Sequence, residues 1–185
     1  MIILPPIDIE NVIVSNLVKL TDERGTFQKV EVDGLISSKV ESVAISVNPT
    51  IGTIRGLHFQ IEPFAEEKLI TCIQGSIFDV LVDLRPNSKT FGRWSFLELT
   101  SKNNLLVSIP KGVAHGFQTL EPDTIIQYCL TSRYVSQSAF SINPLADLKV
   151  VWPLSNPLIS QRDSEGLSFL DAAKKYSDSL RARRE

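Results

Sequence analysis

The chain is poor in the residues that build disulfide frameworks and metal centres. Two cysteines, Cys72 and Cys129, and two histidines, His58 and His115, stand among 185 residues. Two cysteines make no disulfide framework, and each is expected to pack as a small apolar side chain. No sign of charge dominates: Lys plus Arg is 19 and Asp plus Glu is 21, a net charge of −2. That balance excludes a broad basic surface, so no nucleic-acid partner is expected. No apolar run approaches the length of a membrane span. The opening MIILPPIDIE has no positively charged n-region, so no signal peptide and a cytoplasmic location are expected. With 43% hydrophobic and 22% charged residues, wholesale disorder is excluded and one globular domain over residues 1–185 is expected.

What is present is a series of short β-branched runs. They are Val40–Val47, Leu69–Ile73, Ile77–Leu84, Leu105–Ile109 and Thr124–Leu130. Turn formers bound them: Asn48-Pro49, Gly75, Pro86-Asn87, Asn103-Asn104 and Pro110. This spacing predicts an all-β sandwich or barrel. Asp79 and Asp83 lie an even number of residues apart in one run, so they share a face and predict a polar lumen. One helix is expected at about 168–182, where Phe169, Ala173, Tyr176 and Leu180 make a single apolar stripe. The charged end, Arg181–Glu185, is expected to fray.

The histidines sit in unusual contexts. One reads Arg55-Gly56-Leu57-His58-Phe59-Gln60, the other Ile109-Pro110-Lys111-Gly112-Val113-Ala114-His115-Gly116-Phe117. Lys68 opens the next strand. A base, a cation and an arginine close together suit an anionic substrate. A lone histidine is otherwise a core residue with a satisfied ring nitrogen. The usual metal-binding pattern of a cupin barrel needs two histidines one residue apart. Phe59-Gln60 follows His58 instead, and a metal-free site is expected.

The motifs in order carry a resemblance. They are Asp22-Glu23-Arg24-Gly25-Thr26-Phe27, Thr53 to Gln60, Lys68-Leu69, Phe78 to Arg85, Thr90 to Trp94 and Ile109 to Phe117. Tyr128, Tyr134, Trp152-Pro153 and Ser160-Gln161-Arg162-Asp163 complete the set. The chain resembles the dTDP-4-dehydrorhamnose 3,5-epimerases over about Asp22 to Asp163. The resemblance implies a cupin-like jelly roll and inversion of carbons beside the C4 ketone of a nucleotide-linked 6-deoxyhexose. It implies His58 as base, Asp163 as the carboxylate that orients it, Lys68 as the charge that stabilises an enolate, and Tyr128 as acid on the opposite face. Arg24 and Arg55 would grip the diphosphate. Phe27, Gln60, Tyr134 and His115 would line the ligand, with Asp79 supporting His115. No cofactor and no metal are implied, because the substrate carbonyl is itself the electron sink.

Plainer readings stand beside these roles. Asp163 suits a helix cap, Lys68 a solvated salt bridge with Glu66-Glu67, Tyr128 core packing, and Arg24 pairing with its neighbouring acids. Tyr134 also suits surface packing. The chain departs from the family at Gln28-Lys29, where a glutamate is usual. Ala44 and Ser46 replace a glutamine and an asparagine, and Ile142 to Ala146 replaces a tryptophan-containing segment. A changed ligand with preserved chemistry is the expectation. The resemblance also implies a homodimer, with Val12–Lys19 as a strand reaching the neighbour and Arg24 serving the neighbour's site. Two other readings remain: a metal-dependent cupin isomerase or oxygenase, and a jelly-roll carbohydrate-binding module without catalysis.

Overall fold

The computed structural model describes residues 7–183. The elements follow in order as β1 (Ile13–Asn16), β2 (Val18–Asp22), β3 (Gly25–Lys29), β4 (Ser42–Asn48), β5 (Thr53–Gln60), β6 (Lys68–Gln74) and β7 (Ser76–Asp83). Then come β8 (Trp94–Thr100), β9 (Leu105–Ile109), β10 (Val113–Thr119), β11 (Thr124–Leu130), β12 (Ala139–Ser141) and β13 (Leu158–Ile159). Two helices close the chain, α1 (Gln161–Ser164) and α2 (Phe169–Ala182). One sheet runs β1-β9-β6-β11-β4; the other runs β12-β5-β10-β7-β8, with β13 added parallel to β5. The expected cupin-like jelly-roll sandwich is what forms.

The sheets are held by what they bury between them. Ile70, Val107 and Ile126 from the first sheet meet Leu81, Leu97 and Phe117 from the second in one buried cluster. β7 is buried along its whole length. Its Ile77 and Leu81 enter the inter-sheet core, while Phe78, Val80 and Val82 enter a second cluster beneath α2. Cover on both faces explains why this strand reads as almost continuously apolar. Helix α2 supplies that cover through Ala172, Ala173 and Tyr176, with Phe169 and Leu180 packed alongside. The Ser168 side chain caps it by accepting from the Asp171 N–H at 3.1 Å, a contact worth about 1 kcal/mol. The helix runs through Ala182. Its end coincides with that of the helix expected at about 168–182, and residues 184–185 lie outside the described residues.

A third cluster, Leu17, Leu69, Leu106 and Cys129, is covered by Leu35, Ile36 and Val40 from the connection before β4. Cys72 and Cys129 are free and buried, as expected. Burial pushes the Cys72 thiol up to about 12. Asp79 and Asp83 are both fully buried, but only Asp79 serves the lumen. Asp83 sits at the strand end and accepts from Arg85 Nε at 2.8 Å and Thr90 Oγ1 at 2.7 Å, tying down the following turn.

The segment Val12–Lys19 is not one strand. β1 pairs antiparallel with β9 of its own chain. Leu17 then turns into the third cluster, and β2 begins a hairpin with β3 whose residues are all exposed.

Candidate active site

The antiparallel pairing of β5 with β10 puts His58 and His115 opposite each other. Close approach makes this possible. A Cβ on Gly116 would lie 2.6 Å from the Arg55 carbonyl oxygen and 2.7 Å from Leu57 Cδ2. Only glycine lets these strands pair here.

His58 Nε2 lies 2.7 Å from Asp163 Oδ1. The same oxygen accepts from Ser141 Oγ at 2.9 Å, and Oδ2 accepts from the Gly56 N–H at 3.2 Å. Burial pushes the Asp163 carboxyl up. The hydrogen bond and charge of His58, with the Gly56 and Ser141 donors, outweigh that and hold it at about 2. An ionised carboxylate only accepts, so Nε2 carries a hydrogen; in the neutral ring Nδ1 then keeps its lone pair. The His58 side chain is 43% exposed, and it lines the cleft. The cap of α1 is Ser160, whose hydroxyl accepts from the Asp163 N–H. The Asp163 side chain is therefore free for the histidine, and the capping alternative for it falls away.

A second pair lies beside the first. His115 Nε2 is 2.6 Å from Asp79 Oδ1, both buried. The His115 ring meets Tyr128 edge-on with centroids 6.2 Å apart. Tyr128 comes from β11 in the opposite sheet. Burial and the Asp79 charge drive its phenol well above the ordinary value, against the opposing pull of Arg55. At neutral pH it keeps its proton.

Lys68, at the start of β6, donates from Nζ to the His58 carbonyl oxygen at 3.4 Å and lies 3.3 Å from Glu66 Oε1. The expected alternative of a salt bridge is present, but it is buried and not solvated. Arg55 donates from Nε to Asn48 Oδ1 at 2.7 Å, which fixes the guanidinium at the cleft wall.

These groups converge on one cleft of about 340 Å³. Its lining includes Arg55, His58, Lys68, His115, Tyr128 and Tyr134. Gln60 also lines it, but not as a free ligand contact: its Nε2 donates to the carbonyls of Phe64 and Arg133, and its Oε1 accepts from the Val135 N–H. Its amide braces the wall. Arg24 and Phe27 are elsewhere. They line a separate hollow on the β2–β3 hairpin, where Arg24 pairs with Asp22 at 2.6 Å. Within one chain the hairpin belongs to neither large sheet, so these two are not brought to the cleft.

Ala44 and Ser46 do line the cleft, whereas Lys29 sits on the hairpin against Glu31. Sequence reasoning gave no role to Arg162 or Ser141. Arg162 lines the cleft and donates to the Tyr134 hydroxyl at 3.2 Å. Its place directly before Asp163 was the available signal. Ser141 had none, because its value comes from the pairing of β12 with β5, which sets it opposite His58. Among the described residues no group of three or more His, Cys, Asp or Glu side chains is gathered to hold a metal ion.

A jelly roll with a carboxylate-oriented histidine, a lysine and a protonated tyrosine about one cleft defines an isomerase of the sugar-nucleotide epimerase class. The chain belongs to the dTDP-4-dehydrorhamnose 3,5-epimerase family, whose model matches residues 6–171. It is 38% identical to the dTDP-4-dehydrorhamnose 3,5-epimerase of Sinorhizobium fredii over 83% of this chain and 82% of that protein. The solved epimerase of Mycobacterium tuberculosis superposes with a TM-score of 0.85 at 31% identity, covering 96% of each chain. A Legionella pneumophila 3,5-epimerase, solved in complex with dTDP-4-keto-L-rhamnose, superposes with a TM-score of 0.82 at 31% identity over 90% of this chain and 92% of that one.

Proposed function

We propose that this chain inverts carbons alpha to the C4 ketone of a nucleoside-diphosphate-linked 4-keto-6-deoxyhexose. The observation that carries this reading is that His58 and Tyr128, which stand on opposite sheets, line one cleft together with Lys68. His58 Nδ1 takes the proton on one face of the ring, and the C–H electron pair passes into an enolate. The Lys68 ammonium offsets the charge on the enolate oxygen. Tyr128 returns a proton to the carbon from the other face. The two side chains then re-equilibrate with solvent. Asp163 keeps His58 in the tautomer that has Nδ1 free and stabilises the imidazolium. Arg55 and Arg162 suit a diphosphate, and Tyr134 closes the rim.

We place Arg24 and Phe27 in the neighbour's cleft within a homodimer. The support is twofold. The hairpin is exposed and apart from its own cleft. β4 is the free edge of its sheet, and its outward Val43, Ile45 and Val47 are 61%, 61% and 58% exposed, an apolar row suited to burial against a second copy. A cytoplasmic location is part of this proposal. No helix among the described residues is long and apolar enough to cross a membrane.

The test is solvent exchange. The protein is incubated in D2O with dTDP-4-keto-6-deoxyglucose, and C3 and C5 deuteration is followed by NMR beside His58→Asn. Exchange at both carbons, lost in the variant, supports a 3,5-epimerase with His58 as base. Exchange at one carbon makes it a single-centre enzyme. Silence there and on the CDP- and GDP-linked 4-keto sugars overturns the reading in favour of a binding module.

A further inference from the structure

Lys68 does not face the cleft alone. Its ammonium lies 3.3 Å from Glu66 Oε1, and the two side chains are only 9% and 11% exposed. The other carboxylate oxygen lies 3.3 Å from Gln60 Nε2. Gln60 is in turn fixed by three backbone groups of two connections. Glu66 and Lys68 both line the cleft. A negative charge is thus held in place beside the cation assigned to the enolate. An exposed surface pair contributes little; a pair this sealed responds strongly when one partner changes.

We propose that Glu66 is the positioning residue of Lys68, and that it sets both where the ammonium points and how much of its charge the enolate receives. The inference rests on the enolate reading of the cleft. Two effects oppose each other. Glu66 supplies the paired oxygen that holds a long, flexible lysine in one rotamer, while the His58 carbonyl accepts its hydrogen bond. The same carboxylate repels a forming enolate. At an effective dielectric constant of about 20, a like charge on the order of 7 Å away slows such a step by about tenfold or more. Position and charge therefore separate on substitution. Glutamine keeps an oxygen at the place of Glu66 Oε1 beside Lys68 and removes the charge. Alanine removes both.

The experiment compares wild type, Glu66→Gln and Glu66→Ala in the D2O exchange assay, with kcat, KM and melting midpoint for each. The expected result is exchange about tenfold or more faster in Glu66→Gln at saturating substrate, with KM within about threefold of wild type. Glu66→Ala falls at least about tenfold below Glu66→Gln, because its lysine is no longer held. A merely structural role predicts the opposite for the amide: both variants slow together and melt lower. Glu66→Gln no faster than wild type overturns the inference, as does equality of the two variants. Where the amide variant fails to fold, Glu66→Asp decides. It keeps the charge, withdraws the oxygen by one methylene and should be slower than wild type; a faster Glu66→Asp overturns the inference. Exchange in wild type without these contrasts sinks this inference alone. Silence of the wild type on every 4-keto sugar sinks the enolate reading and this inference with it.

Discussion

Replacing Asp163 by asparagine tests the site and the fold with one atom. The carboxyl ordinarily titrates at 3.8 and is held here at about 2. At about 1.4 kcal/mol for each tenfold change in proton affinity, its ionisation contributes about 2 kcal/mol to the folded state at pH 7. A lowered carboxyl gives stability above its unfolded value and loses it as pH falls through the folded value. The contribution is therefore nearly whole at pH 5 and about half gone at pH 3. Asparagine fills the same space and carries no charge. It also turns an N–H2 toward Ser141 or Gly56, both of which donate to the carboxylate. The expected loss at pH 7 is about 2 kcal/mol or somewhat more, or about 4–8 °C in melting midpoint for a chain of this size. Thermal melts of both proteins at pH 7 and pH 3 read it directly: the gap between them should narrow by about half at pH 3. In the same variant the amide no longer fixes the His58 tautomer. D2O exchange should fall on the order of a hundredfold or more, by analogy with carboxylate-oriented histidines elsewhere. A gap that is the same at both pH values removes the charge-based account of this carboxylate. Undiminished exchange removes its role in orienting the base.

Tyr128→Phe should retain deuterium wash-in at the carbon that His58 reaches while net conversion to the epimer falls at least about tenfold, read by NMR on the same sample; unchanged conversion would remove Tyr128 as the acid. Arg24→Ala and Phe27→Ala touch an exposed hairpin, so the melting midpoint should stay within about 2 °C while KM rises several-fold; mixing Arg24→Ala with His58→Asn should restore partial activity by pairing one intact hairpin with one intact cleft, and no recovery speaks against exchange of hairpins between copies. The buried thiols of Cys72 and Cys129, both pushed up by burial, should resist a disulfide reagent at pH 8 in the native protein and titrate as two thiols in denaturant; fast native labelling would contradict their packing.

The strands that sequence pattern located best are those whose apolar run no glycine interrupts. Leu105–Ile109 and Thr124–Leu130 match β9 and β11 end for end, and the apolar run Ile77–Leu84 nearly coincides with β7. The two strands that carry the histidines were harder to see. β5 and β10 hold His58 and His115, yet each has a glycine in its interior, and glycine weakens a strand pattern. Those glycines are what let the two backbones approach. Local rules break where the site is built, as they do in functional sites generally. Site residues were legible where one motif carries them, as in Arg55 to Gln60. They were not legible where the role comes from tertiary register. Ser141 acquires a function only because β12 pairs with β5, and the separation of Arg24 from the cleft follows from a hairpin that joins neither large sheet.

The candidate base stands on one sheet and the candidate acid on the other, with Ile70, Leu81, Val107, Phe117 and Ile126 packed in the core that keeps those sheets apart. The thickness of that core is the gauge of the reaction gap. A methylene removed from it, distant from any substrate, changes a working clearance as well as a melting point. Adjustment of which ring carbon is served thus has a route that touches no polar residue: the sandwich can be shimmed from inside.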